Sequence, residues 1–135
     1  MHITRMLLAA ALILTGTGAA QASTQQAPNA ELAKAVEGRT AGAPVSCIML
    51  NQIRSSRIIS RTAIVYEMSN GKLYVNQPTS GAQSLRRDLA LVTDTRSPQL
   101  CSVDIVRLFD SAARMTVGTI GLGEFVPYAR PAPAN

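Results

Sequence analysis

Apolar positions along this chain follow three rhythms. A continuous run from Met6 to Leu14 comes first, the spaced set Leu32, Ala35 and Val36 follows, and from residue 45 onward short β-branched and aromatic runs alternate with Gly, Pro, Asn and Ser clusters. The spaced set lies in "NAELAKAVEG" and predicts a short amphipathic helix. Asn29 is placed to cap that helix, Glu31 to sit in its first turn and Gly38 to stop it. "RTAGAP" then reads as a connector into "VSCIML", a strand over residues 45–50.

The sharpest local pattern is "TAIVYEMSNGKLYVNQP", two β-rich runs around Asn70-Gly71. That dipeptide tolerates positive φ at both central turn positions, so it predicts a hairpin with a two-residue loop. In that register Met68 meets Leu73, Tyr66 meets Val75 and Ile64 meets Gln77. One face then carries Ile64, Tyr66, Met68, Leu73 and Val75 toward the core, and the other carries Val65, Glu67, Tyr74 and Asn76.

After Pro78, "TSGAQSLRRDLALVTDTRSP" reads as a loop with a helical turn near Ser84–Leu89 and a short strand over Ala90–Thr93. In "QLCSVDIVRLF" the apolar alternation changes parity, Cys101, Val103 and Ile105 giving way to Val106 and Leu108. This predicts a strand buried on both faces or kinked by a bulge. "MTVGTIGLGEFVPY" adds one or two strands punctuated by glycines, and the Pro-rich tail "ARPAPAN" is expected to stay outside any sheet. Short strands with turn residues between them and a single helix give a mainly β fold, a small antiparallel barrel or sandwich with a short N-terminal helix.

The opening run changes the picture of where this fold works. Arg5, the apolar stretch from Met6 to Leu14, small residues after it and Ala20-Gln21-Ala22 before Ser23 have the form of a secretory signal peptide over residues 1–22. The stretch falls short of the ~20 apolar residues of a membrane span, so no transmembrane segment is expected after cleavage. The expected organisation is a flexible leader over residues 23–29, one β-rich domain over 30–128 and a disordered tail over 129–135. Net charge falls from +5 to +4, since Arg5 is the one basic residue of 13 in the signal segment and all 8 acidic residues lie beyond it.

In an oxidising compartment the chain's two cysteines, Cys47 and Cys101, are expected to pair as a structural disulfide. The alternatives are a buried reduced pair and a reactive thiol. Closing a loop of that length contributes roughly 4 kcal/mol in the chain-entropy account. The single histidine, His2, departs with the signal segment, which leaves no imidazole for a Ser-His-Asp triad or a Cys-His dyad and too few ligands for a zinc cage. No metal site, cofactor or catalytic residue is therefore assigned. Eight carboxylates remain, but Asp104 and Asp110, on one strand parity, are about 20 Å apart at roughly 3.3 Å per residue, too far to act as a pair.

The basic stretch "RSSRIISR" places Arg54, Arg57 and Arg61 where they could form an anion-contacting ridge, with Arg86 and Arg87 as extensions. Tyr74, expected on the outer face of the hairpin, completes the candidate surface. The other aromatics are claimed by strands, so the stacking platform of a nucleic-acid binder is missing and no nucleic-acid partner is expected.

Four segments, "AGAPVSCI", "TAIVYEMSNGKLYVNQPTSGA", "LVTDTRSPQLCSVDIVRLFD" and "LGEFVPY", together resemble a family of small exported proteobacterial proteins defined as a domain of unknown function. The resemblance runs from about Arg39 to Tyr128, includes both cysteines, and implies a periplasmic or secreted location without implying an activity or a ligand. The expected function is accordingly that of a non-enzymatic exported β domain binding an envelope protein or an anionic surface. The alternatives are a carboxylate-dependent hydrolase of cell-wall polysaccharide and a small secreted hydrolase inhibitor presenting "PTSGAQS".

Overall fold

The computed structural model describes residues 26–134, and the expected signal segment 1–22 with its cleavage site lies outside them. Helix α1 runs over Gln26–Ala35 and is followed by ten strands: β1 (Thr40–Ala41), β2 (Cys47–Met49), β3 (Ile53–Ile59), β4 (Ala63–Met68), β5 (Leu73–Asn76), β6 (Ala90–Thr93), β7 (Gln99–Cys101), β8 (Ile105–Asp110), β9 (Met115–Gly121) and β10 (Phe125–Ala129). They form a five-stranded sheet in the order β1-β10-β5-β4-β3, a three-stranded sheet β6-β8-β9 and the pair β2-β7. Every pairing is antiparallel. The fold is mainly β with a single α-helix and two short 3-10 turns, Leu50–Gln52 and Ala82–Ser84, among the described residues, and its sheets do not close into a barrel.

Strand β4 explains the layering. Its even positions, Ile64, Tyr66 and Met68, enter the larger core together with Leu85, Leu100, Val106, Leu108, Ile120 and Phe125, so all three sheets share one interior. Its odd positions, Ala63 and Val65, join Ile59, Leu73 and Val75 in a second cluster that Leu32, Ala35 and Val36 of the helical segment cover. A strand buried on both faces needs apolar residues at both parities, which is why "AIVYEM" reads as a nearly continuous run. The helical stripe expected from the sequence therefore does pack on the sheet, and Gly38, at φ 71°, ends the segment in the left-handed region. The helix begins at Gln26, before Asn29, so Asn29 lies inside it and does not cap it.

The hairpin departs from its expected register by one residue. Tyr66 lies opposite Tyr74, Val65 opposite Val75 and Ile64 opposite Asn76. The loop is Ser69-Asn70-Gly71: the Gly71 N–H donates to the Met68 carbonyl at 2.9 Å, as does the Met68 N–H to the Lys72 carbonyl, and Gly71 sits at φ 81°. This is a turn followed by one left-handed residue, the three-residue alternative to the two-residue loop. The slip carries Leu73 and Val75 to the helix-covered face and brings Tyr74 and Asn76 to the larger core.

The parity change in "QLCSVDIVRLF" has a different cause from either one expected. The run is two strands, β7 and β8, separated by a tight turn in which the Asp104 N–H donates to the Cys101 carbonyl at 3.0 Å. A bulge does occur farther on, between Leu108 and Phe109 where β8 pairs with β9. Strand β10 extends to Ala129, the first residue of the tail, and accommodates Pro127, whose carbonyl accepts from the Gly42 N–H at 2.8 Å beside the two-residue edge strand β1.

Candidate functional site

Strand β3 is a free edge, and its two arginines point different ways. Arg54 falls at the register shift between Ile53 and Ser55, whereas Arg57 pairs with Val65 and so stands on the helix-covered face of the sheet. Arg61 lies beyond the strand in the β3–β4 turn with φ 57°. Tyr74, opposite Tyr66, is half-buried against the larger core on the reverse face. Of the expected surface, Tyr74 stands on the opposite face of the sheet from Arg57. Strand alternation and the hairpin slip separate the two.

What the fold builds instead is a cleft of about 700 Å³ between α1 and β3, lined by Ala30, Glu31, Lys34, Ala35, Arg57, Ile59 and Arg87. Glu31, Lys34 and Ala35 share one flank of the helix through their spacing of three and four residues. Arg57 and Ile59 are alternate residues on one face of β3, and Arg87 reaches in from the segment after Leu85. The lining joins three apolar residues, Ala30, Ala35 and Ile59, to three cations, Lys34, Arg57 and Arg87, and one carboxylate, Glu31. Arg87 is engaged with Glu31 at 3.2 Å, while Lys34 and Arg57 have no ion pair among the described residues. Beyond Arg57 a smaller recess of about 150 Å³ continues past Ser55, Val65, Glu67 and Leu73, where the Ser55 hydroxyl donates to the Glu67 carboxylate at 3.3 Å.

Arg86, expected to extend the ridge beside Arg87, turns away from the cleft. Its guanidinium lies 3.1 Å from Asp88 and 3.3 Å from Asp110, so both carboxylates converge on one nitrogen. The hydrogen bond from Arg86 holds the Asp88 carboxyl below the usual carboxylate range, and the hydrogen bond and charge of Asp88, followed by Asp110, raise Arg86 in turn. Asp88 is exposed and Asp110 half-buried, with one guanidinium bound to both.

Cys47 and Cys101 are directly opposed on β2 and β7 and joined as a disulfide, with Cα atoms 4.0 Å apart. Hydrogen bonds from Ser102 to Ser46 and from Leu50 to Pro98 flank them, placing the cysteines at a non-hydrogen-bonded position, where antiparallel strands approach most closely. The Cys101 N–H, facing away from the partner strand, donates to the Asp104 carboxylate at 2.7 Å. Neither sulfur is a free thiol. Among the described residues no three His, Cys, Asp or Glu side chains gather as a metal site, and no helix is long and apolar enough to cross a membrane. The "PTSGAQS" segment lies along β9, Thr79 donating its N–H to the Gly121 carbonyl at 2.9 Å and the Gly121 N–H donating to the Ser80 carbonyl at 3.2 Å.

Comparison with protein-family models, curated proteins and solved structures finds no match to this chain. The site therefore rests on its own geometry. Of its cationic residues, the sequence pattern singles out Arg57 and, as an extension, Arg87, whereas Lys34 reads there as part of a solvated helix face. The i, i+3 spacing of Glu31 and Lys34 marks a polar helix flank, but only the docking of α1 on β3 turns that flank into one wall of a cleft.

Proposed function

We propose that this protein is an exported, non-enzymatic binding domain of the cell envelope, periplasmic or secreted, that holds an anionic group in the cleft between α1 and β3. The observation that carries this reading is the pair of cations, Lys34 on α1 and Arg57 on β3, that line one cleft and have no ion pair among the described residues. A carboxylate or phosphate seated there gains charge-assisted hydrogen bonds from both sides. Arg87, already held by Glu31, limits the cleft on its third side. The signal-like opening, the disulfide and the resemblance to exported proteobacterial proteins support the location.

The hydrolase alternative needs two carboxylates across a cleft, one of them with its proton held at neutral pH. Asp88 and Asp110 both meet Arg86, which shifts Asp88 in the opposite direction. The geometry therefore favours binding.

Two measurements test the proposal. Intact-mass analysis of protein recovered from the producing cell is expected to give a chain that begins at Ser23 and gains two hydrogens on reduction; a chain retaining residues 1–22 overturns the location. In titrations with soluble polyphosphate and with vesicles of anionic against zwitterionic lipid, Lys34→Ala and Arg57→Ala are each expected to weaken binding by about tenfold, the scale of one charge-assisted hydrogen bond. Arg54→Ala and Arg61→Ala serve as controls and leave it near the parent value. Equal losses from all four variants would mean diffuse attraction to a basic surface and would refute the cleft.

A further inference from the structure

Strands β6, β8 and β9 turn Leu91, Val106, Leu108 and Ile120 into the core. The opposite parity faces outward, and in an antiparallel sheet with one solvated side it should be polar. Here it carries Val92 opposite Arg107, with Ile105 and Phe109 two residues to either side of that arginine on β8. Ile105 is 65% exposed, and Val103, in the turn leading into β8, is 85% exposed. On β9, Thr119 lies opposite Arg107 and Thr116 opposite Phe109, and Val117, at the register shift between them, is 39% exposed. Val92 and Phe109 are half-buried at its sides, neither belonging to a core cluster, which leaves Ile105 and Arg107 as the open part of this face.

Its charge identifies what would cover it. Arg107, exposed and central, has no ion pair among the described residues. The neighbouring acids are committed elsewhere: Asp104 accepts from the Cys101 N–H, and Asp110 accepts from the N–H groups of Ala112 and Ala113 and pairs with Arg86. Asp94, one residue past β6, makes no ion pair with Arg107. A cation ringed by Val92, Ile105 and Phe109 has the composition of an interface centre, where arginine and aromatic residues are enriched and other charges depleted. The net charge of +5 has the same sign as this cation, so it steers acidic partners toward the molecule and disfavours a second copy.

We infer that the outer face of the β6-β8-β9 sheet docks a partner protein through an extended segment in which a carboxylate has an apolar side chain two residues to either side, the carboxylate meeting Arg107 and the apolar residues covering Ile105 and Phe109. This surface is separate from the α1–β3 cleft and does not depend on it.

The test uses the full exported chain and three labelled heptapeptides with leucine at the second and sixth positions, glutamate, glutamine or lysine at the fourth, and serine elsewhere, so that the three side chains share one face when extended. The glutamate peptide is expected to bind at least about tenfold more tightly than the other two, the scale of an interface hot spot. Ile105→Ser and Arg107→Ala, both at exposed positions, are each expected to abolish that preference while leaving the urea midpoint unchanged, and Arg107→Glu is expected to transfer it to the lysine peptide. Equal binding of the three peptides, no binding, or binding that survives both substitutions overturns the inference. So does a dimer seen by light scattering that Ile105→Ser dissociates, which would give the face to a second copy.

Discussion

Two buried residues show how this fold treats polar atoms. Asn76 is fully buried and is the polar residue of the described core. Its side-chain amide donates to the Gly123 carbonyl at 2.6 Å and its side-chain oxygen accepts from the Gly123 N–H at 3.0 Å. The amide thus replaces a strand neighbour for the backbone at the corner between β9 and β10. Tyr66 packs its ring near Phe125, with centroids 5.9 Å apart, and burial pushes its phenol up from the usual tyrosine value near 10. In the unfolded chain the phenol releases its proton near that usual value, while the folded chain still holds it. Between the two values the folded state therefore binds more protons, and stability falls as pH rises. Wild-type protein is expected to lose stability as pH climbs above about 10, and Tyr66→Phe to lose less over the same interval while differing little at neutral pH. Urea midpoints of both proteins at neutral and alkaline pH check this; parallel alkaline limbs would show that Tyr66 does not titrate as its burial implies.

At the scale of elements, two glycines separate conformational from steric demand. Gly71 closes the β4–β5 loop at φ 81° with open space where a side chain would begin. Gly123 has an ordinary backbone conformation, but a side chain there would meet the Gln77 carbonyl oxygen. Gly71→Ala is expected to cost about 1–2 kcal/mol and Gly71→Asn less, because asparagine tolerates the left-handed region. Gly123→Ala is expected to cost more than either and to respond to no choice of larger residue, since the obstruction is backbone. Denaturant midpoints of the three variants check the order, and a Gly71→Asn protein as destabilised as the Gly71→Ala protein would contradict it.

The same hairpin shows what the sequence carries and what it withholds. The Asn-Gly signal locates the turn, and the apolar runs locate β4, β5 and β6, because turn chemistry and side-chain alternation act locally. The loop length is not legible, since Gly71 serves equally as the second residue of a two-residue loop or the third of a three-residue one. β4 is apolar at both parities, so pattern alone does not choose between registers one residue apart. The error passes directly to Tyr74, which the two-residue loop puts outside and which lies against the core. The α1–β3 cleft is illegible for another reason: its walls come from residues 30–35, 57–59 and 87, and only tertiary docking joins them. The disulfide is readable from composition and the signal-like opening, because pairing of two cysteines in an oxidising compartment does not depend on register.

For the whole molecule, the disulfide decides how much the small β2-β7 sheet contributes. A two-stranded sheet is marginal on its own, and this one enters the larger core through only Ile48 and Leu100. Cys47 and Cys101 are 54 positions apart, so the bond closes a loop that includes β3, β4, β5 and β6, restricting half the described chain in its unfolded ensemble. The chain-entropy account gives about 4 kcal/mol for that closure, a large part of the 5–15 kcal/mol of an ordinary domain. Both cysteines are half-buried, which leaves the bond within reach of a reductant. Reduction, or the paired change Cys47→Ser with Cys101→Ser, is expected to remove about 2–4 kcal/mol of stability, lowering the urea midpoint of the full chain. Protein kept under reducing conditions should share the lower midpoint, so the redox state of its surroundings sets the stability of the fold. Equal midpoints for the oxidised and fully reduced chains, with free thiols confirmed by titration, would show that packing of Ile48 and Leu100 alone secures β2 and β7.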